Sequence, residues 1–291
     1  MGAPMASSLA ATAVAAGDRV LVWNRTPGHD RSAVDNGAER CAEAAELAAR
    51  SEVVIAMLPD LVQLEELVFG PAHLLAAVTR RTVLVVCPSV SPSGVREFAD
   101  RVAEASDGLV GVVDAPVSGG PEGARAASLA IMAGGSADDV AAAWPALSAM
   151  GGLVRHLGPI GAGSLAKVCN QMVVAATMIA LSEATALAEA AGLNTEGLLD
   201  VLGAGYASSR LLEVKRGNLI DRDYAPAGLA RYMVKDLGFA AAESAPLQAE
   251  LTQTELSRSL FTQLTAAGWG DEDMSVVHRI VRARCGLTTP E

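Results

Sequence analysis

Short apolar runs alternate with Ala-rich stretches over the first half of this 291-residue chain. Six runs rich in Val, Ile and Leu occur before about residue 157, and the segments between them have a helical composition. Continuous apolar strands separated by helices indicate a parallel sheet that is covered by helices on both faces. The runs are Val20–Trp23, Glu52–Leu58, Thr82–Cys87, Leu109–Asp114, Ser128–Ala133 and Leu153–Leu157.

The second half of the sequence is predicted to be helical. The first helix should run from Ser164 to about Ala191, where Gly192 has the position of a terminating glycine. Residues 1–158 are therefore predicted to form an α/β domain with a doubly wound sheet, and residues 159–291 an all-α domain. Shorter helices are predicted at about Thr195–Leu202, Leu211–Leu219, Leu229–Ser244, Leu247–Ala267 and Met274–Arg284.

The amino-terminal residues match the second half of a Rossmann-like dinucleotide-binding unit. Gly2 precedes an amphipathic helix, and the strand-like run that follows ends at Asn24-Arg25-Thr26. In such a unit the helix faces the pyrophosphate and the end of the second strand faces the ribose. The preceding strand and the first two glycines of G-x-G-x-x-G are absent from the sequence. We expect a start codon placed too late or a trimmed chain, and weak cofactor affinity for residues 1–291 alone.

Arg25 stands where an NAD site would usually carry an acidic residue. Its permanent positive charge and fixed donors suit a 2′-phosphate, which predicts a preference for NADP with NAD possible. The alternative is an ordinary surface arginine in a turn.

Two further segments carry candidate chemistry. The loop from Asp114 to Gly120 offers the Ser118 hydroxyl and the backbone N–H groups of Gly119 and Gly120, which can hold a carboxylate. Lys167 lies one turn inside an apolar helix, with Asn170 and Gln171 following at i+3 and i+4 on the same face. Burial and the helix dipole would both disfavour its ammonium form, as suits a general acid/base. A lysine that extends to solvent is the alternative.

Composition excludes several classes of function. The net charge of −11 argues against a nucleic-acid surface, because phosphate binding requires a basic face. The four cysteines form no C-x-x-C pair, which fits a reducing cytoplasm. The apolar run Met172–Leu181 is judged too short to span a membrane. No metal site is predicted, since no two of the histidines have ligand spacing; they are His29, His73, His156 and His278.

Taken together, these segments resemble the β-hydroxyacid dehydrogenase family. The resemblance runs in family order from Met1 to about Ser275 and also includes Met57-Leu58-Pro59 and Lys235-Asp236-Leu237. It implies an NAD(P)-dependent dehydrogenase or semialdehyde reductase that acts on a small carboxylate substrate. On an apolar helix, a Lys-Asp pair such as Lys235-Asp236 is more often a solvated edge.

The resemblance also implies a role for individual residues. Lys167 would be the general acid/base, and the amide of Asn170 or Gln171 would orient the substrate hydroxyl. The substrate carboxylate would be held by Ser118, Gly119 and Gly120. Cofactor contacts would come from Gly2, Asn24, Arg25, Thr26, Leu58, Pro59, Ser89 and Lys235.

The sequence departs from the family pattern at two further positions, and two alternative functions remain open. Gln171 replaces an Asn that many members carry, and Ala127 stands where a Gly is common. A catalytically silent oligomeric scaffold is one alternative, and an imine reductase-like enzyme is another, although imine reductases usually replace this lysine. The long helix is apolar on more than one face, which predicts a homodimer or a higher homo-oligomer.

Overall fold

The computed structural model describes residues 1–71 and 74–287. The chain divides into two compact units, Met1–Lys167 and Val168–Glu291. The division falls within a long helix, whereas the sequence predicts a boundary between residues 158 and 159. The first unit is α/β and the second is helical.

In the first unit, each of the six predicted runs overlaps a strand. The strands are β1 (Leu21–Val22), β2 (Glu39–Arg40), β3 (Val53–Ala56), β4 (Thr82–Val86), β5 (Val110–Asp114), β6 (Val117–Ser118), β7 (Leu129–Gly134) and β8 (Gly151–Gly158). The helices are α1 (Gly2–Ala15), α2 (Arg31–Asp35), α3 (Ala44–Arg50), α4 (Leu61–Phe69), α5 (Pro92–Ala105), α6 (Gly120–Arg125) and α7 (Ala137–Met150). Sequence patterning missed β2 and β6, because two residues are too few to show a period.

The main sheet is mixed, so the prediction of a parallel sheet is wrong for part of it. Strands β3, β4 and β5 are parallel, but β7 runs antiparallel to β5 and β6 and parallel to β8. The reason is the length of the connection between β6 and β7. The segment from Gly119 to Ser128 is shorter than the dozen or more residues that a parallel crossover needs.

Both faces of this sheet are buried under helices. Along β4, Val83 and Val85 pack with Met5 of α1 in one apolar cluster, whereas Leu84 and Val86 pack with Phe98 of α5 in the other. Alternate residues of one strand thus enter two separate cores. This double burial explains the continuous apolar runs of the sequence.

Strands β1 and β2 form a separate two-stranded sheet. Strand β1 pairs with β2, and β3 pairs with β4, so β1 and β3 belong to different sheets. A cavity of about 1220 Å³ is lined by β1, β3 and α1.

Ala127 has a backbone conformation that favours glycine. It follows α6 with a φ of +50°, and the N–H of Ser128 donates to the carbonyl of Gly123 in a helix-terminating turn. For a residue with a Cβ this conformation costs about 1–2 kcal/mol.

We expect Ala127→Gly to raise the free energy of unfolding by roughly 0.5–1 kcal/mol, measured by urea denaturation. The matched control is Ala126→Gly, because Ala126 has a φ of −84° and gains nothing from the change. Equal effects of the two substitutions would contradict this explanation.

The second unit consists of helices around one apolar core. Helix α8 (Ala162–Ala190) begins in the first unit, and Gly192 follows it with a φ of +73°, as predicted for its end. The remaining helices are α9 (Thr195–Ala204), α10 (Arg210–Asp221), α11 (Ala230–Ser244), α12 (Thr252–Leu264) and α13 (Val277–Arg284). Helix α12 starts later than predicted, because a 3-10 turn containing Pro246 and a left-handed Gln248 precede it.

Helix α8 is long and apolar enough to cross a membrane by length and composition, and half of its most apolar stretch is buried. The judgement that this segment is too short therefore does not hold for the whole helix. Such a helix is weak evidence for a membrane span, since the core helix of a soluble protein meets the same criteria. Val173 and Leu187 are 67% and 68% exposed. The homo-oligomer expected from this helix stays a prediction.

Candidate active site

Most of the residues predicted to bind the cofactor lie together in the first unit. Six of the eight line the cavity beside β1 and β3, at the carboxyl ends of these strands, where ligands of α/β sheets collect. Asn24 shapes the end of β1, because its side-chain oxygen accepts from the Thr26 N–H at 3.2 Å. Arg25 lies exposed between them. The six residues are Gly2, Asn24, Arg25, Thr26, Leu58 and Pro59.

Ser89 and Lys235 are not among the residues that line this cavity. Ser89 is half-buried in the loop between β4 and α5, and the cap of α5 is provided by Ser91, whose hydroxyl accepts from the Gly94 N–H. Lys235 lies on α11 in the second unit.

The predicted carboxylate loop contains a short strand that the sequence did not reveal. Ser118 ends β6 and is half-buried, and Gly119 and Gly120 follow with φ values of +133° and +65°. A Cβ at Gly119 would lie 3.2 Å from the Leu129 side chain. Glycine is needed here for its backbone conformation, and successive N–H groups in such a turn can bind an anion.

Lys167 is buried on α8, with 9% of its surface exposed. The alternative of a lysine that extends to solvent is therefore wrong. Three residues earlier, the N–H of Ser164 donates to a carboxylate oxygen of Asp114 at 2.5 Å. The lysine thus lies one turn beyond an anchored helix start.

The two candidate amides differ in what they bind. Asn170 donates from its Nδ2 to the Oε1 of Gln171 at 3.0 Å, and Gln171 donates from its Nε2 to Asp236 at 2.8 Å. Both ends of the Gln171 amide are thus engaged within the second unit, whereas the Oδ1 of Asn170 takes no part in these bonds.

Lys235 and Asp236 do not form the solvated edge that is common for such pairs. Asp236 is 4% exposed, and its other carboxylate oxygen lies 3.0 Å from the Lys235 Nζ. Lys235 also lies over the ring of Phe239, 5.1 Å from its centroid. Asp236 therefore connects two residues of the predicted site, Gln171 and Lys235.

Sequence reasoning missed the roles of Asp114 and Asp236. Asp114 stands between two apolar residues, and Asp236 follows Lys235 in an otherwise apolar segment, so a signal was present in the sequence. Their hydrogen-bond partners lie between 47 and 65 residues away along the chain, so no local pattern could identify them.

The sequence also offers four candidates for substrate specificity, which are Tyr206, Ser208, Ser209 and Arg231. Ser209 caps α10, since its hydroxyl accepts from the Leu212 N–H at 3.1 Å. Arg231 forms an ion pair with Asp271, and Tyr206 is fully exposed. Local structure accounts for Ser209 and Arg231.

A metal centre was not expected from the sequence. Among residues 1–71 and 74–287, no group of three or more His, Cys, Asp or Glu side chains could hold a metal ion. His73 lies outside the described residues.

Comparison with known proteins identifies the family. Residues 1–158 match the model of the NAD-binding domain of 6-phosphogluconate dehydrogenase. Residues 161–281 match the model described as NAD-binding of NADP-dependent 3-hydroxyisobutyrate dehydrogenase. The chain belongs to the β-hydroxyacid dehydrogenase family. It is thus an NAD(P)-dependent oxidoreductase with a Rossmann-like domain followed by a helical domain.

Individual members of the β-hydroxyacid dehydrogenase family resemble the chain over nearly its whole length. A 3-hydroxyisobutyrate dehydrogenase of Pseudomonas aeruginosa is 35% identical, over 98% of this chain and 96% of the relative. An NAD-dependent L-serine dehydrogenase of the same organism is 33% identical, over 96% and 94%. The structure of a Mycobacterium tuberculosis 3-hydroxyisobutyrate dehydrogenase with L-serine is 32% identical, with a TM-score of 0.80 over 97% and 96%.

Proposed function

We propose that this protein transfers a hydride between NADP(H) and a small 3-hydroxy acid or the corresponding semialdehyde acid, with Lys167 as the general acid/base. The observation that carries the proposal is Lys167 itself, the buried lysine near the start of α8. Steady-state turnover of such acids with either cofactor tests it.

The names of the relatives support this substrate class. One relative and the similar structure are named for 3-hydroxyisobutyrate, and the other relative is named for L-serine. Both molecules carry a carboxylate, and in both the carbon β to that carboxylate bears a hydroxyl group. In the protein, the Ser118–Gly120 turn offers N–H and O–H donors for the carboxylate.

The first unit fits a dinucleotide. The first turn of α1 contains no acidic residue, and its N-cap residue, Met1, makes no side-chain hydrogen bond to it, so the N–H groups of this turn suit a pyrophosphate. Asn24, Arg25 and Thr26 would hold the adenine ribose, and Leu58 and Pro59 would line the nicotinamide. When bound, the nicotinamide supplies the hydride chemistry.

Lys167 would transfer the proton to and from the substrate oxygen. In oxidation its neutral amine accepts the hydroxyl proton as hydride leaves the carbon that bears the oxygen. In reduction its ammonium group donates a proton to the carbonyl oxygen. The buried position keeps this group away from bulk water, so the proton goes to the substrate oxygen.

The hydrogen bonds of the two amides favour Asn170 as the group that orients the substrate hydroxyl. Gln171 uses its oxygen for Asn170 and its nitrogen for Asp236. The Nε2 of Gln171 also donates to the Met233 sulfur, so both of its hydrogens are used, and a substrate oxygen that accepted from this nitrogen would have to displace one of these bonds at a cost of about 1 kcal/mol or more. The Oδ1 of Asn170 takes no part in these bonds and can accept from the substrate hydroxyl.

We expect Arg25→Ala to raise the KM for NADPH about tenfold or more and to leave the KM for NADH nearly unchanged, because a hydrogen bond to a charged group contributes about 1.5–3 kcal/mol. The control is Arg31→Ala, an exposed arginine on α2. Equal losses with NADPH and NADH would show that Arg25 does not read the 2′-phosphate.

A catalytically silent scaffold makes a different prediction about binding. NADPH should quench the protein fluorescence and raise the melting temperature if the first unit binds the cofactor. If NADPH changes neither signal, the scaffold is favoured. Binding without turnover of any 3-hydroxy acid would refute only the proposed substrate class.

A further inference from the structure

Asp114 is a buried carboxylate with an unusual relation to α8. It ends β5, is fully buried, and lies opposite Gly134 in the pairing of β5 with β7. Its Oδ1 accepts from the Gly161 N–H at 2.8 Å and its Oδ2 from the Ser164 N–H at 2.5 Å.

These two N–H groups are the ones that helix-capping side chains usually bind. The carbonyl of Gly161 accepts from the Leu165 N–H, so Gly161 is the N-cap residue of α8 and Ser164 is its third helical residue. In a capping box two side chains of the helix itself bind these donors. Here the N-cap is a glycine, and Asp114 binds both donors from 47 and 50 residues away.

The packing around this cap leaves no space for adjustment. A Cβ at Gly134 would overlap the Oδ1 of Asp114 and would lie 2.7 Å from the Gly163 nitrogen. A Cβ at Gly163 would overlap the carbonyl of Met132. Both residues are glycine, so the start of α8 packs directly against the ends of β5 and β7.

We propose that Asp114 is a positioning residue, which fixes the first turn of α8 and thereby holds the Lys167 amine where the substrate hydroxyl binds. This inference rests on the proposed role of Lys167. Lys167 is three residues beyond Ser164, so a shift of the first turn moves its side chain directly. A displacement of about 1 Å in a catalytic group can lower the rate about a hundredfold.

The cap should also respond to pH. Burial raises the pKa of Asp114 to about 6, although its hydrogen bonds from Ser164 and Gly161 oppose the rise. Among the described residues, the charged and titratable groups near this helix start include Lys167 on α8, Arg96 of α5 beside Gly161, and His156 of β8, whose ring contacts the carbonyl of Gly158. A protonated carboxyl cannot accept both N–H bonds equally, so kcat should fall as the pH drops below about 6.

Protonation of Asp114 should lower kcat but raise the free energy of unfolding. The pKa of Asp114 is raised on folding, so protonation below about pH 6 favours the folded state while it weakens the cap. A residue that only supported the fold would lose activity and stability together.

The test compares Asp114→Asn with a matched variant, Asp139→Asn. Asp139 is also buried in the first unit, where it pairs with Arg81 and accepts from the Ser136 hydroxyl. We expect D114N, assayed at a temperature where it is fully folded, to lower kcat roughly ten- to a hundredfold with little change in KM, and to remove the decrease in kcat below about pH 6. D139N should lower the melting temperature and keep kcat.

The outcomes separate this inference from the proposed function. If D114N keeps the kcat and the acid limb of the parent protein, or loses kcat only in proportion to stability as D139N does, Asp114 is not a positioning residue. If Lys167→Ala keeps full activity, the proposed function fails instead, whatever D114N shows.

Discussion

Lys167→Ala is expected to lower kcat for oxidation of a 3-hydroxy acid by about 10²–10⁴-fold, which is the usual contribution of a positioned general acid/base. The Kd for NADPH should change little, because the residues proposed to bind the cofactor lie at the ends of β1 and β3. The measurements are steady-state kinetics and a fluorescence titration with NADPH.

The control for this variant is Leu165→Ala. Leu165 lies two residues earlier on α8 and is 42% exposed, so the change perturbs the same turn without removing the amine. L165A should keep kcat within a few-fold of the parent protein. Substantial residual turnover in K167A, with L165A unchanged, would contradict the assignment of Lys167.

Asp273→Ala is expected to lower the free energy of unfolding by about 3–5 kcal/mol. Asp273 is fully buried in the second unit, where it pairs with the buried Lys215 at 2.8 Å and accepts from the Gly228 N–H at 3.0 Å. Its other oxygen accepts from the backbone and the hydroxyl of Ser275. Removing the carboxylate leaves a lysine ammonium buried without its counter-charge, which is the costly case.

This destabilisation should depend on pH in a definite direction. Burial would raise the pKa of Asp273, but Lys215 and the N–H groups of Gly228 and Ser275 lower it below its ordinary value. A carboxyl whose pKa is depressed on folding contributes its stability above the ordinary Asp range and loses it as the pH falls through the folded value. The difference in the free energy of unfolding between D273A and the parent protein should thus be largest near pH 7 and become smaller at acidic pH.

Urea denaturation at pH 7 and at acidic pH measures both effects. Glu255→Gln is the matched control, because the Glu255–Arg258 pair on α12 is exposed and should contribute less than about 1 kcal/mol. A loss in D273A no larger than in E255Q would mean that the buried pair is unimportant for stability.

Periodicity predicted most of this fold because it reports burial. The run Thr82–Cys87 is apolar throughout since β4 is covered on both faces, and the strand was found almost to the residue. The length of α8 and its end at Gly192 were also predicted, because a long apolar segment before a glycine has few other interpretations.

The direction of β7 and the partners of the buried charges could not be predicted in this way. The direction of β7 depends on the length of the connection after β6. A strand of two residues shows no sequence pattern, so neither β6 nor the length of this connection could be recognised. Asp114 and Asp236 bind groups that are distant in sequence, so the sequence alone could not show that Asp114 caps α8 or that Asp236 binds Gln171.

The measurement that tests the central claim most directly is cofactor-coupled turnover of a panel of small acids. Purified protein is mixed with NADP⁺ or NAD⁺ and with 3-hydroxyisobutyrate, L-serine, other 3-hydroxy acids, or a 2-hydroxy acid as the control, and the absorbance of the reduced nicotinamide is followed. We expect turnover of at least one 3-hydroxy acid, faster with NADP⁺ than with NAD⁺, and none of the 2-hydroxy acid. Bound NADPH without turnover of any 3-hydroxy acid or semialdehyde acid would contradict the proposal.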